Sequence, residues 1–276
     1  MNERQPHFGS QRRDIGLDDE TQFLESLSRT NLGDTVPAVV VDPVHGQPGG
    51  DAAASLDKSS PAWVGRRLGH FKLLRLLGQG SMGLVIQAED VNLQRIVALK
   101  VLRKRIAGVT DQTAVDQFLR EARAAASLEH PNVVRVYEIN QHRGWWYIAY
   151  EMIEGGNLKA VVKTVGPLPP GRACPVIADA ATALAIAHQS GIIHRDVKPS
   201  NLMLTRTGRC KLMDFGLVRI TDPNDPFDFT DKSVGTPQYM APEIIRKQAI
   251  TPAVDIYSLG ATLYFALTGR PPFLGK

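Results

Sequence analysis

His194-Arg195-Asp196-Val197-Lys198-Pro199-Ser200-Asn201, followed by Asp214-Phe215-Gly216, is the stretch on which the reading of this chain turns. Asp196 and Asn201 stand five apart, and Asp214 follows Asp196 by eighteen. That spacing gathers a carboxylate base, a cation and two oxygen ligands for a metal into one short segment. Phosphoryl transfer asks for such a set, because the protein's share of that chemistry is positioning and charge stabilisation. Asp196 is the group to accept or orient the proton of an attacking hydroxyl, and Lys198 the group to steady the transferred phosphoryl charge. Asn201 and Asp214 are the candidate Mg2+ ligands, since hard cations prefer oxygen. His194 reads as a packed structural histidine rather than an acid or base.

Upstream, Gly78-Gln79-Gly80-Ser81-Met82-Gly83 lies between two apolar runs, Phe71 to Leu77 and Leu84 to Ala88. Glycine lets a backbone approach phosphates that a side chain would obstruct. Alone, the pattern also fits a glycine-rich hairpin or a dinucleotide-binding turn. The second fails on context, because Leu84-Val85-Ile86 continues as strand where that turn needs a helix. Seventeen residues after Gly83, Lys100 closes the apolar run Val97-Ala98-Leu99. Its distance from the glycine loop favours phosphate contact over a solvent-facing lysine. Glu121, on the helix expected over Asp116 to Leu128, is the natural partner for Lys100. Taken singly, Glu121 reads equally as a solvated acid between Arg120 and Arg123; the other motifs favour pairing. Glu129 is its rival, but it abuts His130-Pro131 and falls in a loop.

The 276 residues are 43% hydrophobic, enough for one sizeable core or one domain plus a tail. The net charge of +4 hides an asymmetry: residues 1–60 carry five Lys/Arg against ten Asp/Glu, and the rest of the chain is basic. The positive charge is scattered, with no basic block interleaved with aromatics, so nucleotide phosphates are a better anion than nucleic acid. Cys174 and Cys210 form no zinc spacing, read as small core residues, and fit a reducing cytosol. No run approaches the roughly 18 apolar residues of a membrane span, and the polar N-terminus is no signal peptide, so a soluble, cytoplasmic protein is expected.

Residues 1–62 read as a flexible tail, too polar and too rich in Gly and Pro to offset the entropy of ordering. Within it Asp18 to Leu27 is a weak helical pattern, and Val39-Val40-Val41 a weak strand signal. Order is expected from Leu68. Five short strands interrupted by one helix, the last two at Val133 to Ile139 and Trp146 to Met152, read as a small antiparallel sheet. After Gly155-Gly156 the pattern turns helical, with Cys174 to Gln189 and Ala253 to Leu267 as the long helices. Leu202 to Leu204 and Lys211 to Met213 read as a hairpin about Thr207-Gly208.

Together these segments resemble the protein kinases, and Lys198 two residues after Asp196 resembles the serine/threonine branch. Gly235-Thr236-Pro237-Gln238-Tyr239-Met240-Ala241-Pro242-Glu243 resembles that family's substrate-docking loop. The stretch Gln79-Gly80-Ser81-Met82-Gly83 and the ending Thr268-Gly269-Arg270-Pro271-Pro272-Phe273 look like the bacterial members. The resemblance covers Leu68 to Lys276. It implies an α+β, bilobal fold, with a small antiparallel N-lobe at 68–153 bearing one helix, and a mainly helical C-lobe at 157–276. The family continues with further helices, so the C-lobe is expected to be incomplete. Glu243 would then lack the arginine that pairs with it, and apolar surface on Ala253 to Leu267 would be exposed.

For function the resemblance implies transfer of the γ-phosphate of ATP, with Mg2+, to serine or threonine of protein substrates. Gly78, Gln79, Gly80, Ser81 and Gly83 would cover the phosphates, with Lys100 held by Glu121. Val85 and Ala98 would lie above the adenine and Met203 below it. Glu151 and Ile153 would offer it backbone hydrogen bonds, with Tyr150 at the back of the pocket. Residues 214–243 would form an activation segment, with Thr221, Thr230 and Ser233 as phosphosites able to pair with Arg195, and Thr236 as a structural hydroxyl near Asp196. Asp255 would bind the catalytic-loop backbone. Two other readings stand beside this one. A non-catalytic nucleotide-binding scaffold would follow from an incomplete lobe, and a small-molecule phosphotransferase is disfavoured by Lys198 and the docking loop.

Overall fold

Short runs of branched and aromatic residues build an antiparallel sheet at the head of the fold. A computed structural model describes residues 63–79, 83–102, 112–215, 219–220 and 237–273. The sheet contains β1 (Arg67–Leu68), β2 (Phe71–Gln79), β3 (Gly83–Asp90), β4 (Arg95–Leu102), β5 (Val136–His142) and β6 (Trp145–Glu151), in the order β1-β2-β3-β4-β6-β5. Register sorts its two faces. Leu84, Ile86 and Ala88 stand opposite Val101, Leu99 and Val97, and all six are buried with Phe71, Trp145 and Tyr147. Val85 stands opposite Lys100, and Lys100 and Ala98 stand opposite Ile148 and Tyr150. Since directly paired residues project from the same face, that second face carries Val85, Ala98, Lys100 and Tyr150 together.

Among the described residues the packed core includes Trp63, five residues before the expected Leu68; its indole is buried in the first face of the sheet. Helix α1 (Gln112–Ala126) covers the second face. Val115, Phe118 and Ala122 are buried there with Val134 and Ile148, following the three- and four-residue spacing of one helical face. Ala124 and Ala125 are buried as well, whereas Ala126 at the end of the helix is exposed. The fourth apolar run also differs from expectation. Pairing with β6 begins at Val136, because residues 132–134 are drawn to the hairpin beyond the sheet: Leu212 N–H donates to Asn132 O and Val134 N–H to Leu212 O.

Below the sheet lie α2 (Leu158–Val165), α3 (Pro170–Gln189), β7 (Ile192–Ile193), the hairpin β8 (Leu202–Leu204) with β9 (Cys210–Leu212), β10 (Arg219–Ile220), the short α4 (Pro242–Ile245) and α5 (Ala253–Thr268). Asn157 caps α2, its Oδ1 accepting from Ala160 N at 2.8 Å. Helix α3 begins at Pro170, four residues before the expected Cys174. Proline fits the first helical position because its missing N–H would have no partner there. Ala173, Val176, Ala180, Ala183, Leu184 and Ala187 pack α3 against Leu259, Phe265 and Ala266 of α5 and against the hairpin. Helix α5 is therefore largely covered by α3, and of its large apolar side chains only Ile256 and Tyr264 are exposed. Gly269 ends α5 with φ 75°, where its N–H returns to Phe265 O. β10 pairs antiparallel with β7, a contact with no signal in the sequence pattern. The described residues contain no helix long and apolar enough to cross a membrane.

Candidate active site

Lys100 reaches the site because β4 alternates: its neighbours Leu99 and Val101 enter the sheet's apolar face, so its own side chain leaves from the opposite one. There it donates to Glu121 Oε1 of α1 and, at 3.0 Å, to Asp214 Oδ1 at the far end of the hairpin. Tyr150, buried on the same face, donates to Glu121 Oε1 at 3.4 Å. One ammonium thus serves two carboxylates. Burial alone would lower the Lys100 pKa, but Asp214 and Glu121 outweigh it and hold it above the ordinary lysine value. Burial drives Glu121 upward against the pull of Lys100, and its Oε2 is enclosed without a hydrogen bond from the described residues. Asp214 shows the opposite balance. Desolvation would raise it, yet Lys100 beside it holds it below the usual carboxylate range. Burial and the neighbouring Glu121 push the Tyr150 phenol well up, so it stays a donor.

The segment from His194 to Asn201 is held by α5 on one side and by the residues after β9 on another. Asp255 of α5, wholly buried, accepts His194 N–H at Oδ2 (2.9 Å) and Arg195 N–H at Oδ1 (2.8 Å). Arg195 has φ 65° and Asp214 φ 62°, left-handed values that non-glycine residues keep only where surrounding contacts hold them. The buried His194 ring spans the two motifs, accepting Asp196 N–H at Nδ1 (3.2 Å) and donating from Nε2 to Met213 O (3.1 Å). It packs 4.7 Å from the Phe215 ring. These bonds account for His194 as a positioning element.

Within the loop, Lys198 Nζ donates to Asp196 Oδ2 at 2.7 Å. Asn201 Nδ2 donates to Asp196 O at 2.9 Å and to Oδ2 at 3.2 Å. Both side chains converge on one oxygen of Asp196. With its nitrogen turned inward, Asn201 keeps Oδ1 as an oxygen donor, and Asp214 supplies a carboxylate. Two protein oxygens suit Mg2+, which keeps waters and takes further oxygens from a nucleotide rather than filling a protein cage.

Three apolar side chains stay partly uncovered beside this cluster. Val85, Ala98 and Met203 are half-buried, whereas their strand neighbours Leu84, Ile86, Val97, Leu99, Leu202 and Leu204 are buried. Ala98 and Met203 pack against the same cluster as Tyr150 and Ile153. The strand-to-helix junction is fastened to the hairpin: Leu204 N–H donates to Gly156 O at 2.8 Å, and Asn157 bridges Met203. Glu151, half-buried at the end of β6, turns its carboxylate to Lys211 Nζ of β9 at 2.8 Å.

Gly78, Gln79 and Gly83 flank the turn between β2 and β3, and Gly83 fits there because a Cβ would run into Val101 O. Gly80, Ser81 and Met82 lie outside the described residues, as do Gly216, Thr221, Thr230, Ser233 and Thr236. Among the described residues no side-chain hydrogen bond or ion pair involves Glu243, whose backbone carbonyl accepts from Gln248 N–H. Sequence reasoning did not find the Lys100–Asp214 contact, the Glu151–Lys211 pair or His188, whose Nε2 lies 2.8 Å from Asp255 Oδ2. These partners are 114, 60 and 67 residues apart, beyond the reach of any periodic signal.

Comparison with known proteins agrees with this geometry. Residues 71–276 match the protein kinase domain family. The chain is 43% identical over 209 residues to the serine/threonine-protein kinase PknB of Mycobacterium leprae, covering 74% of this chain and 33% of that protein. It is 44% identical over 210 residues to PknB of Mycobacterium tuberculosis, with the same coverage, 74% and 33%. It is 38% identical over 214 residues to PrkC of Bacillus subtilis, covering 77% and 33%. The chain thus spans about a third of the length of these relatives. With a family match across both lobes and the expected side chains gathered at their junction, the chain belongs to the protein kinase family and is of the bacterial serine/threonine type.

Proposed function

We propose that this chain transfers the γ-phosphoryl group of ATP to serine or threonine hydroxyls of protein substrates. The observation that carries the reading is the meeting of Lys100 with both Glu121 and Asp214 beside an Asp196 that already holds Lys198 and Asn201. Lys100, steadied by Glu121, orients the α- and β-phosphates under Gly78, Gln79, Gly80, Ser81 and Gly83. Val85, Ala98 and Met203 sandwich the adenine, while Glu151 and Ile153 bind its edge through their backbone. Asn201 and Asp214 would hold Mg2+, whose charge would offset that of the phosphate oxygens during transfer. Asp196, with Oδ2 engaged by Lys198 and Asn201, receives the acceptor hydroxyl at Oδ1 and takes its proton. Lys198 stabilises charge on the transferred group.

The same reading makes residues 1–62 a tail and 68–276 the catalytic domain, places the protein in the cytoplasm, and includes autophosphorylation at Thr221, Thr230 or Ser233. Its partners are ATP and protein substrates, not nucleic acid. The test is incubation of the purified chain with Mg2+ and γ-labelled ATP, with and without a basic protein substrate. Label on serine or threonine, absent from an Asp196→Asn control, is the expected result. Nucleotide binding without transfer would overturn it in favour of a scaffold.

A further inference from the structure

We propose that the acidic segment 14–28 of this chain docks on the uncovered outer end of the sheet's second face, against Arg67, Lys72, Arg75 and Ile96. Register brings these side chains together. Arg67 stands opposite Lys72, Lys72 opposite Glu89, and Glu89 opposite Ile96, so one row crosses β1, β2, β3 and β4. The neighbouring row runs from Arg75 through Gln87 to Ala98. An irregularity between Leu73 and Arg75 puts Arg75, rather than Leu74, on the face of Lys72. Since Ala98 faces the adenine in the reading above, the cations share the face of the nucleotide pocket and lie at its outer margin. Arg67, Lys72, Arg75 and Ile96 are exposed, and the half-buried Glu89 is the one acid in these two rows.

Like charges placed directly opposite each other weaken a strand pair. No side-chain hydrogen bond or ion pair joins Arg67 or Lys72 to another described residue, and Arg75 donates only to the neutral Gln87 Oε1. Three cations against one acid leave the patch short of negative charge, and Ile96, 42% exposed, adds an apolar spot at its end. Residues 14–28 carry the complement: five of the ten acids in residues 1–60, no Lys or Arg, and the apolar Phe23, Leu24 and Leu27. The attachment point is close. Trp63 is buried in the opposite face, and Gly65 N–H donates to Leu73 O at 2.7 Å, so the chain is fixed to the sheet four residues before Arg67. Residues 29–62 give 34 residues of connection, enough to span about 110 Å when extended. Tethering of this kind sets a local concentration on the order of 1 mM, so a contact of only millimolar strength is occupied half of the time. Docked there, the carboxylates stand at the margin of the pocket and oppose an incoming polyphosphate. A pocket left free for about a tenth to a half of the time binds nucleotide two- to tenfold more weakly. This consequence rests on the phosphoryl-transfer reading; the docking itself does not.

The test uses the full chain and a zero-length carbodiimide crosslinker, which joins a carboxylate to an amine in contact with it. Lys72 is the one amine of the patch, and mixing 14N- and 15N-labelled chains separates links within a copy from links between copies. Wild type is compared with Asp18→Lys/Asp19→Lys, with Arg67→Glu/Arg75→Glu, and with the two pairs combined. Expected are links from Lys72 to Asp18, Asp19 or Glu20 within one copy. Their yield should fall about fivefold or more in either reversed pair, and at about 0.5 M salt, where screening acts within roughly 4 Å. Combining the pairs should restore it. Titration with Mg-ATP is the second readout: affinity should tighten about two- to tenfold in either reversed pair and return towards wild type in the combination. Lys72 linked only to Glu89, or evenly to every acid of residues 1–60, would overturn the proposal. So would links found only between copies, which would make the occupant a second chain, or a yield indifferent to both reversals. A wild-type chain that binds no Mg-ATP would defeat the phosphoryl-transfer reading, and the crosslinks would still decide the docking.

Discussion

Lys100 and Asp214 meet at 3.0 Å although 114 residues separate them and they belong to different lobes. The contact joins the sheet to the end of the β8–β9 hairpin through one ammonium that Glu121 also shares. Removing that cation has two separable effects, one on chemistry and one on stability.

Lys100→Met is expected to abolish transfer and also to destabilise the chain by about 3 kcal/mol, because the buried Glu121 loses its cation and keeps only the Tyr150 hydroxyl as a donor. Thermal melting checks the second effect. Adding Glu121→Leu should recover much of the stability and none of the activity. A single variant that melts like the wild type would show that Glu121 takes up a proton or a new partner without cost.

Asp196→Asn keeps the shape of the side chain while removing its basicity. Transfer should drop on the order of 100- to 10,000-fold, with Mg-ATP affinity within about twofold of wild type. Nucleotide titration alongside initial rates gives both numbers. Loss of nucleotide binding with unchanged turnover per bound ATP would remove Asp196 from the role of base.

Gly155 lies where the strand-to-helix junction crosses the hairpin, and a Cβ there would collide with the backbone carbonyl of Leu204. Neither side is a flexible side chain, so backbone must move. Gly155→Ala should therefore cost about 1–3 kcal/mol and loosen the Leu204 N–H to Gly156 O bond. Melting temperature and hydrogen exchange at Leu204 measure the two effects, and an unperturbed Leu204 amide would contradict the expectation.

Burial, with a smaller contribution from Asp179, pushes the Cys210 thiol up to about 12, whereas Cys174 is exposed. At pH 8, iodoacetamide should label Cys174 and spare Cys210 until the chain unfolds. The sign of the linkage follows: the folded state retains this proton between the ordinary thiol pKa of 9.0 and about 12, so stability from this group falls as pH rises through that window. Labelling of both cysteines at equal rates in the native chain would contradict the prediction.

Much of the site was readable before any coordinate. Asp196, Lys198, Asn201 and Asp214 lie within nineteen residues of chain, and Lys100 ends an apolar run seventeen residues after the glycine loop, so short-range spacing already suggested a chemistry for each one. Short runs of branched and aromatic apolar residues likewise marked β2, β3, β4 and β6, and the three- and four-residue spacing of Phe118, Ala122 and Ala125 marked α1. Such patterns report the backbone's own repeat, which is a local property. What tertiary structure alone decided is how the elements meet. It shared Lys100 between Glu121 and Asp214, brought His188 to Asp255, sank Trp63 into the sheet, and drew residues 132–134 away from β6 to β9. Each of these joins groups far apart in the chain, where the outcome depends on docking, desolvation and the competition of one donor among several acceptors. Those quantities exist only once the lobes have packed.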